Sequence, residues 1–252
     1  MKNKFIGELK NIDPRKIVDE NEKDNIGSFF LGLGVIFNDL KGLIWFNKML
    51  NDNYETPSID ETTSHAGNYA GIAMQIQKLM AGIINEFFIF IEKNKTIFQN
   101  ETFKEIFNKL SKQDQQTWNS VKAVAIGDNS NATDFVKTTV QIRSNLAFHY
   151  DHSGKILKRG YISRFYSKVK DNRNSFAYYS IGESIEATRF YFSDAALEEA
   201  IYLAAGKIEK EDPKDNELLK RCNSRILETI NIMSATISSI MKKYMQFVRN
   251  NP

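Results

Sequence analysis

Cysteine is nearly absent: Cys222 is the only one among 252 residues. That excludes an intramolecular disulfide and any zinc site built on several thiolates. Cys222 sits in a helical stretch with no activating base beside it, and it reads as an inert thiol. Histidine is almost as scarce, with only His65, His149 and His152. Of the four prolines, Pro14, Pro57 and Pro213 fall at breaks between helical stretches. Charge of one sign is lacking too. A net charge of +3 is too small to imply a nucleic-acid partner unless the positive residues are clustered. The longest apolar runs, such as FFLGLGVIF at 29–37, fall short of the roughly 20 residues that span a bilayer. The opening MKNKFIGELKNIDP has no apolar core of signal-peptide length. The expectation is a cytoplasmic chain with no membrane partner, no internal repeat and no low-complexity linker.

What is present is an ordinary globular composition, 42% hydrophobic and 26% charged, in a chain long enough to bury a sizeable core. Asp13-Pro14 signals a short helix, and apolar residues at helical spacing predict a long one from Ile26 to about Asn51. Gly32, Gly34 and Gly42 would let another helix approach it closely. Ser58-x-x-Glu61 reads as a capping box for a second long helix, about Ile59 to Glu92. Two such helices joined by a short loop should pack antiparallel. His65, near the start of the second, reads as a solvated or satisfied helix-end histidine. Shorter helices are expected over Glu101 to Leu110 and Lys112 to Ile126, ending at Gly127. FAYYSI (176–181) and ATRFYF (187–192) read as a small β-hairpin. Helices from Ser193 to about Lys210 and from beyond Pro213 to about Val248 complete the chain. The predicted fold is a mainly all-α antiparallel bundle in a single helical domain, 1–252. Its parts are a core at 26–152, a basic segment and hairpin at 153–192, and C-terminal helices at 193–252.

The chemistry concentrates in residues 133–152, TDFVKTTVQIRSNLAFHYDH. At 100° per residue, Phe135, Val136, Thr139, Val140, Ile142, Leu146, Ala147 and Tyr150 share an apolar side. Asn145, His149 and His152 lie on a narrow polar strip. Arg143 falls within the apolar side, about 9 Å along the axis from His149 and about 120° away in azimuth. One reading pairs Arg143 with an acid of a neighbouring helix such as Glu86 and leaves the histidines solvated at a helix C-terminus. Spacing of i and i+3 lets His149 and His152 face one ion, but no third ligand follows by spacing, so no metal is expected.

Arg143-Ser144-Asn145-Leu146-Ala147-Phe148-His149 resembles the R-x(4–6)-H motif of HEPN domains. The match is to a late helix of an all-α bundle that follows a long helical hairpin, over 26–152. Ser144 stands where the family usually has Asn, Asp or His, with Asn145 one place later. The resemblance implies a cofactor-free, metal-independent endoribonuclease that works as a homodimer with two motifs in one cleft. It also implies a toxin or defence effector, with an antitoxin or defence-system partner. In that reading His149 is the general acid/base, and an imidazole's ordinary pKa near 6.5 suits the task. Arg143 holds the scissile phosphate, and Asn145 orients the imidazole or the phosphate.

From Lys155 to Arg173 seven basic residues face one acid, Asp171, with Tyr161, Phe165 and Tyr166 interleaved. Lys155, Lys158, Arg159 and Arg164 are the candidate RNA contacts, with the aromatics available for stacking. A solvated amphipathic helix explains the same run without a ligand. Two other classes stay open for the whole chain: a non-catalytic module binding RNA, a nucleotide or a protein, and a purely structural helical dimer.

Overall fold

The structure, a computed structural model, describes residues 10–18, 26–55, 57, 63–127, 150–166, 176–185, 187–209 and 216–250. Among the described residues it is mostly helical, with seven α-helices: α1 Ile26–Asn53, α2 Ser64–Lys93, α3 Glu101–Asn108, α4 Lys112–Ile126, α5 Tyr150–Tyr166, α6 Tyr191–Glu209 and α7 Asn216–Asn250. Short 3-10 turns at Pro14–Lys16 and Lys95–Gln99 precede α1 and α3.

Local chemistry sets the ends. The Asp13 carboxylate accepts the Arg15 N–H, and Pro14 supplies a preset φ at the first helical position. Asn100 caps α3 by accepting from the Phe103 N–H, and Ser111 caps α4 by accepting from Asp114. Gly127 closes α4 at φ 74°, a left-handed conformation that costs a glycine nothing. α2 begins later than its sequence suggests. Thr63 is its cap, through a 3.1 Å bond from the Ala66 N–H, and the Ser58 and Glu61 signal lies outside the described residues.

α1 and α2 run antiparallel. The Phe90 ring sits against Gly32, Tyr69 donates to Asn51 Oδ1 at 3.0 Å, and His65 stacks on Tyr54 at 4.8 Å. The His65 ring is also within hydrogen-bond reach of the Glu55 carbonyl, a satisfied helix-end histidine as its position suggests. By length and mean hydropathy, 1.5 and 1.2, both helices are apolar enough to cross a membrane. Some of their large residues, among them Phe29, Phe30, Leu33, Leu40, Ile84, Phe87 and Phe88, enter one core with α3, α4 and α7. Phe30 stacks on Tyr244 at 3.8 Å, and buried Trp118 donates its indole N–H to the Thr236 carbonyl at 3.2 Å. The two buried threonines of α7, Thr229 and Thr236, give their hydroxyl protons to carbonyls one turn back. α1 keeps one side bare, where Leu31, Val35, Trp45, Phe46 and Met49 are all exposed.

The β-hairpin reduces to one antiparallel bridge, Ser180 with Arg189, whose two bonds measure 2.8 and 2.9 Å. No strand forms among the described residues, because the second aromatic run is claimed by a helix. Tyr191 opens α6, lays its ring on Gly67 of α2, and comes within 3.4 Å of the Ser64 carbonyl through its hydroxyl.

α5 and α6 pack closely at Gly160, where a Cβ would collide with the Ala196 carbonyl. Gly160→Leu should therefore lower the unfolding midpoint despite its gain in helix propensity. Overpacking of this kind costs roughly 1–3 kcal/mol, against about 1 kcal/mol recovered from propensity. An unchanged or raised midpoint in a thermal melt would show that the α5–α6 seam yields freely.

Candidate nucleic-acid interface

Residues 128–149 lie outside the described residues, and Arg143, Asn145 and His149 are among them. The described chain resumes at Tyr150, the residue after His149, with the first residue of α5. Lys155 belongs to that helix by its backbone. Lys158 and Arg159 are exposed, whereas Arg164 is only half-exposed.

Arg164 has acids around it. Ser163 donates to the Glu199 carboxylate at 2.6 Å, which fixes this part of α5 against α6. Half-buried Glu198 lies beside it, and its carboxyl is held above the usual carboxylate range. Burial is the main cause. The Arg164 guanidinium pulls the other way, and Glu199 and Asp194 add to the upward push. Asp194 in turn accepts from Arg189 Nε at 2.9 Å, and the Arg189 guanidinium rests on Gly71 of α2. The Ser163–Glu199 bond and the Arg189–Asp194 pair thus tie the last turn of α5 and the bridged loop to the first half of α6.

This cluster has a measurable signature. A carboxyl whose folded pKa exceeds its ordinary value of 4.5 gives stability that is complete below that value and lost as pH rises through the folded one. Glu198→Gln should then be more stable than the wild type at pH 7, with the gap closing on acidification. Urea midpoints at pH 7 and pH 4.5 measure it. A variant weaker at pH 7 would mean that attraction to Arg164 outweighs the cost of burial.

The surface beside α5 is unusually aromatic. Tyr166 is 73% exposed, and the bridged loop leaves Phe176, Tyr178, Tyr179 and Phe190 open to solvent along with Ile181 and Ile185. Sequence reading placed Phe176, Tyr178, Tyr179 and Phe190 in a small β-hairpin and Tyr166 in the basic run; the number of rings in so short a stretch was the available signal. Elsewhere, a shallow open depression between α3 and α4 is floored by Phe98, Phe103, Phe107 and Trp118, with Lys104 and Lys122 at its rim. It contains neither an acid nor a nucleophile. Among the described residues no group of His, Cys, Asp and Glu is arranged to hold a metal ion.

The class these features define is an all-α protein with a basic and aromatic surface. No family model matches the chain, and no curated protein or solved structure matches it either.

Proposed function

We propose that the chain is a HEPN-like, metal-independent endoribonuclease that acts as a toxin or defence effector. The observation that carries this reading is the Arg143-x5-His149 motif placed directly ahead of α5, whose solvent side bears Lys158 and Arg159. Two further features support it. The α1–α2 hairpin gives the chain the all-α frame that the motif's resemblance implies, and the bare apolar side of α1 offers a surface for a second copy.

In the proposed reaction the ribose 2′-oxygen attacks the adjacent phosphorus and the bond to the 5′-oxygen breaks. The products are a 2′,3′-cyclic phosphate and a free 5′-hydroxyl. His149 moves the proton, taking it from the 2′-OH or giving it to the leaving oxygen. Arg143 holds the phosphate and meets the charge that grows on it, and Asn145 orients the imidazole or the phosphate. The reading needs neither cofactor nor metal, and it places the protein in the cytoplasm under the restraint of an antitoxin or other partner.

Incubating the purified chain with RNA in EDTA tests it, with Arg143→Ala and His149→Ala beside the wild type. Fragments ending in cyclic phosphate from the wild type alone support it. No cutting, or equal cutting by all three, overturns it.

A further inference from the structure

We propose that the outer face of α5 and the bridged loop at 176–190 form one platform for single-stranded RNA. Lys158 and Arg159 take phosphates there, and Tyr166, Tyr178 and Tyr179 stack on bases. The choice of RNA rests on the reading above; the surface itself does not depend on the nuclease motif.

The face is continuous on the helix. Lys158, Arg159, Ile162 and Tyr166 fall within about 100° of azimuth at helical spacing, and all four are exposed. Gly160, which packs on α6, and half-exposed Arg164 lie outside that arc. Arg159 and Tyr166 share nearly one azimuth, about 10 Å apart along the axis.

The loop reaches the same end of the helix. The Arg189 guanidinium holds Asp194 near the start of α6, two residues before Ala196, whose carbonyl packs against Gly160 of α5, so the loop and α5 both dock on the start of α6. The Phe192 N–H donates to the Tyr178 carbonyl at 3.0 Å, fixing the loop to the first turn of α6. Tyr179 is 63% exposed and Phe176 is 68% exposed. The rings of Phe176 and Tyr178 are 6.3 Å apart and tilted by 58°, so neither lies flat over the other.

Aromatic side chains normally go inside, where their area is worth most. A cluster left outside beside exposed cations matches the needs of a single strand: cations for the backbone, open ring faces for unpaired bases. A protein partner would make no particular use of the cations.

The test uses the full-length chain carrying His149→Ala, in EDTA, with a fluorescent 12-residue oligouridylate and an abasic phosphodiester of equal length. Anisotropy titrations should show the oligouridylate bound at least about tenfold more tightly than the abasic strand. Tyr178→Leu with Tyr179→Leu should weaken the oligouridylate by about tenfold or more and leave the abasic strand unaffected. Lys158→Gln with Arg159→Gln should weaken both strands and reduce the salt slope by about 1.4, two phosphate contacts' worth. Circular dichroism checks that each variant is folded. Equal binding of the two strands, or binding unchanged in the tyrosine pair, overturns the platform. So does binding to phosphatidylserine vesicles, through these residues, by a protein that ignores RNA. The nuclease reading fails separately. If the wild type cuts no RNA while the tyrosine variants lose binding, the platform stands without it. If cutting persists with binding unchanged, only the platform falls.

Discussion

Replacing His149 by alanine should reduce RNA cleavage by about 10²–10⁴-fold while leaving the fold intact. That range is what a positioned proton-transfer group contributes. Arg143→Ala should cost about 10²–10³-fold, the scale of removing one preorganised donor from a developing anion. The two losses should not add, because His149 can move the proton only while Arg143 holds the phosphate in place. Arg143→Lys separates charge from geometry. A lysine keeps the positive charge but lacks the planar fork, so recovery should be partial at most. Cleavage assays under single-turnover conditions measure all three. A His149→Ala protein that retains more than a tenth of wild-type activity would remove the imidazole from the mechanism.

The second large effect is structural. Trp118→Ala should destabilise the fold by roughly 3–5 kcal/mol, the usual cost of emptying a buried aromatic site. Trp118 is 2% exposed, stands edge-on to Phe103 at 6.4 Å, and gives its indole proton to α7. Its removal opens a cavity where α3, α4 and α7 meet, and it leaves the Thr236 carbonyl without that donor. At about 2–4 °C per kcal/mol for a chain of this size, the thermal midpoint should fall by roughly 6–20 °C. Trp118→Phe should lose less, since much of the volume stays. A midpoint within about 2 °C of the wild type would contradict the packing around this ring.

The four helices from Ile26 to Ile126 were legible because their signals are local. Apolar residues recur every three or four positions, Ser111 stands where a cap is needed, and Gly127 stands where a helix must stop. The start of α2 was misplaced because Ser58 and Thr63 both have cap chemistry, and only the bond to Ala66 shows which one is used. The hairpin is seen only as the Ser180–Arg189 bridge, for a different reason. Aromatic residues suit strands and helices alike, and Tyr191 becomes helical because it docks on an α2 residue more than 120 positions earlier. Strand propensity is weak against such a contact. The same limit applies to the interface. The basic run is plain in the sequence, but which of its residues stay exposed depends on two helices meeting at Gly160, which no local pattern announces.

The position of α7 also bears on how the chain is made. Ile226, Ile230, Met233, Ile237 and Ile240 fill the same core as Phe29, Phe30 and Leu33, which are synthesised nearly 200 residues earlier. At about 5–20 residues per second, the ribosome takes roughly 10–35 s to travel from the end of α1 to Ile226. Once α2 has been made it can pair with α1, while the surface meant for α7 stays wet and adhesive. A premature stop anywhere ahead of α7 would release a product with that surface permanently uncovered, a substrate for chaperones and proteases. Only a chain read through α7 can therefore cover the face of α1 that α7 packs against.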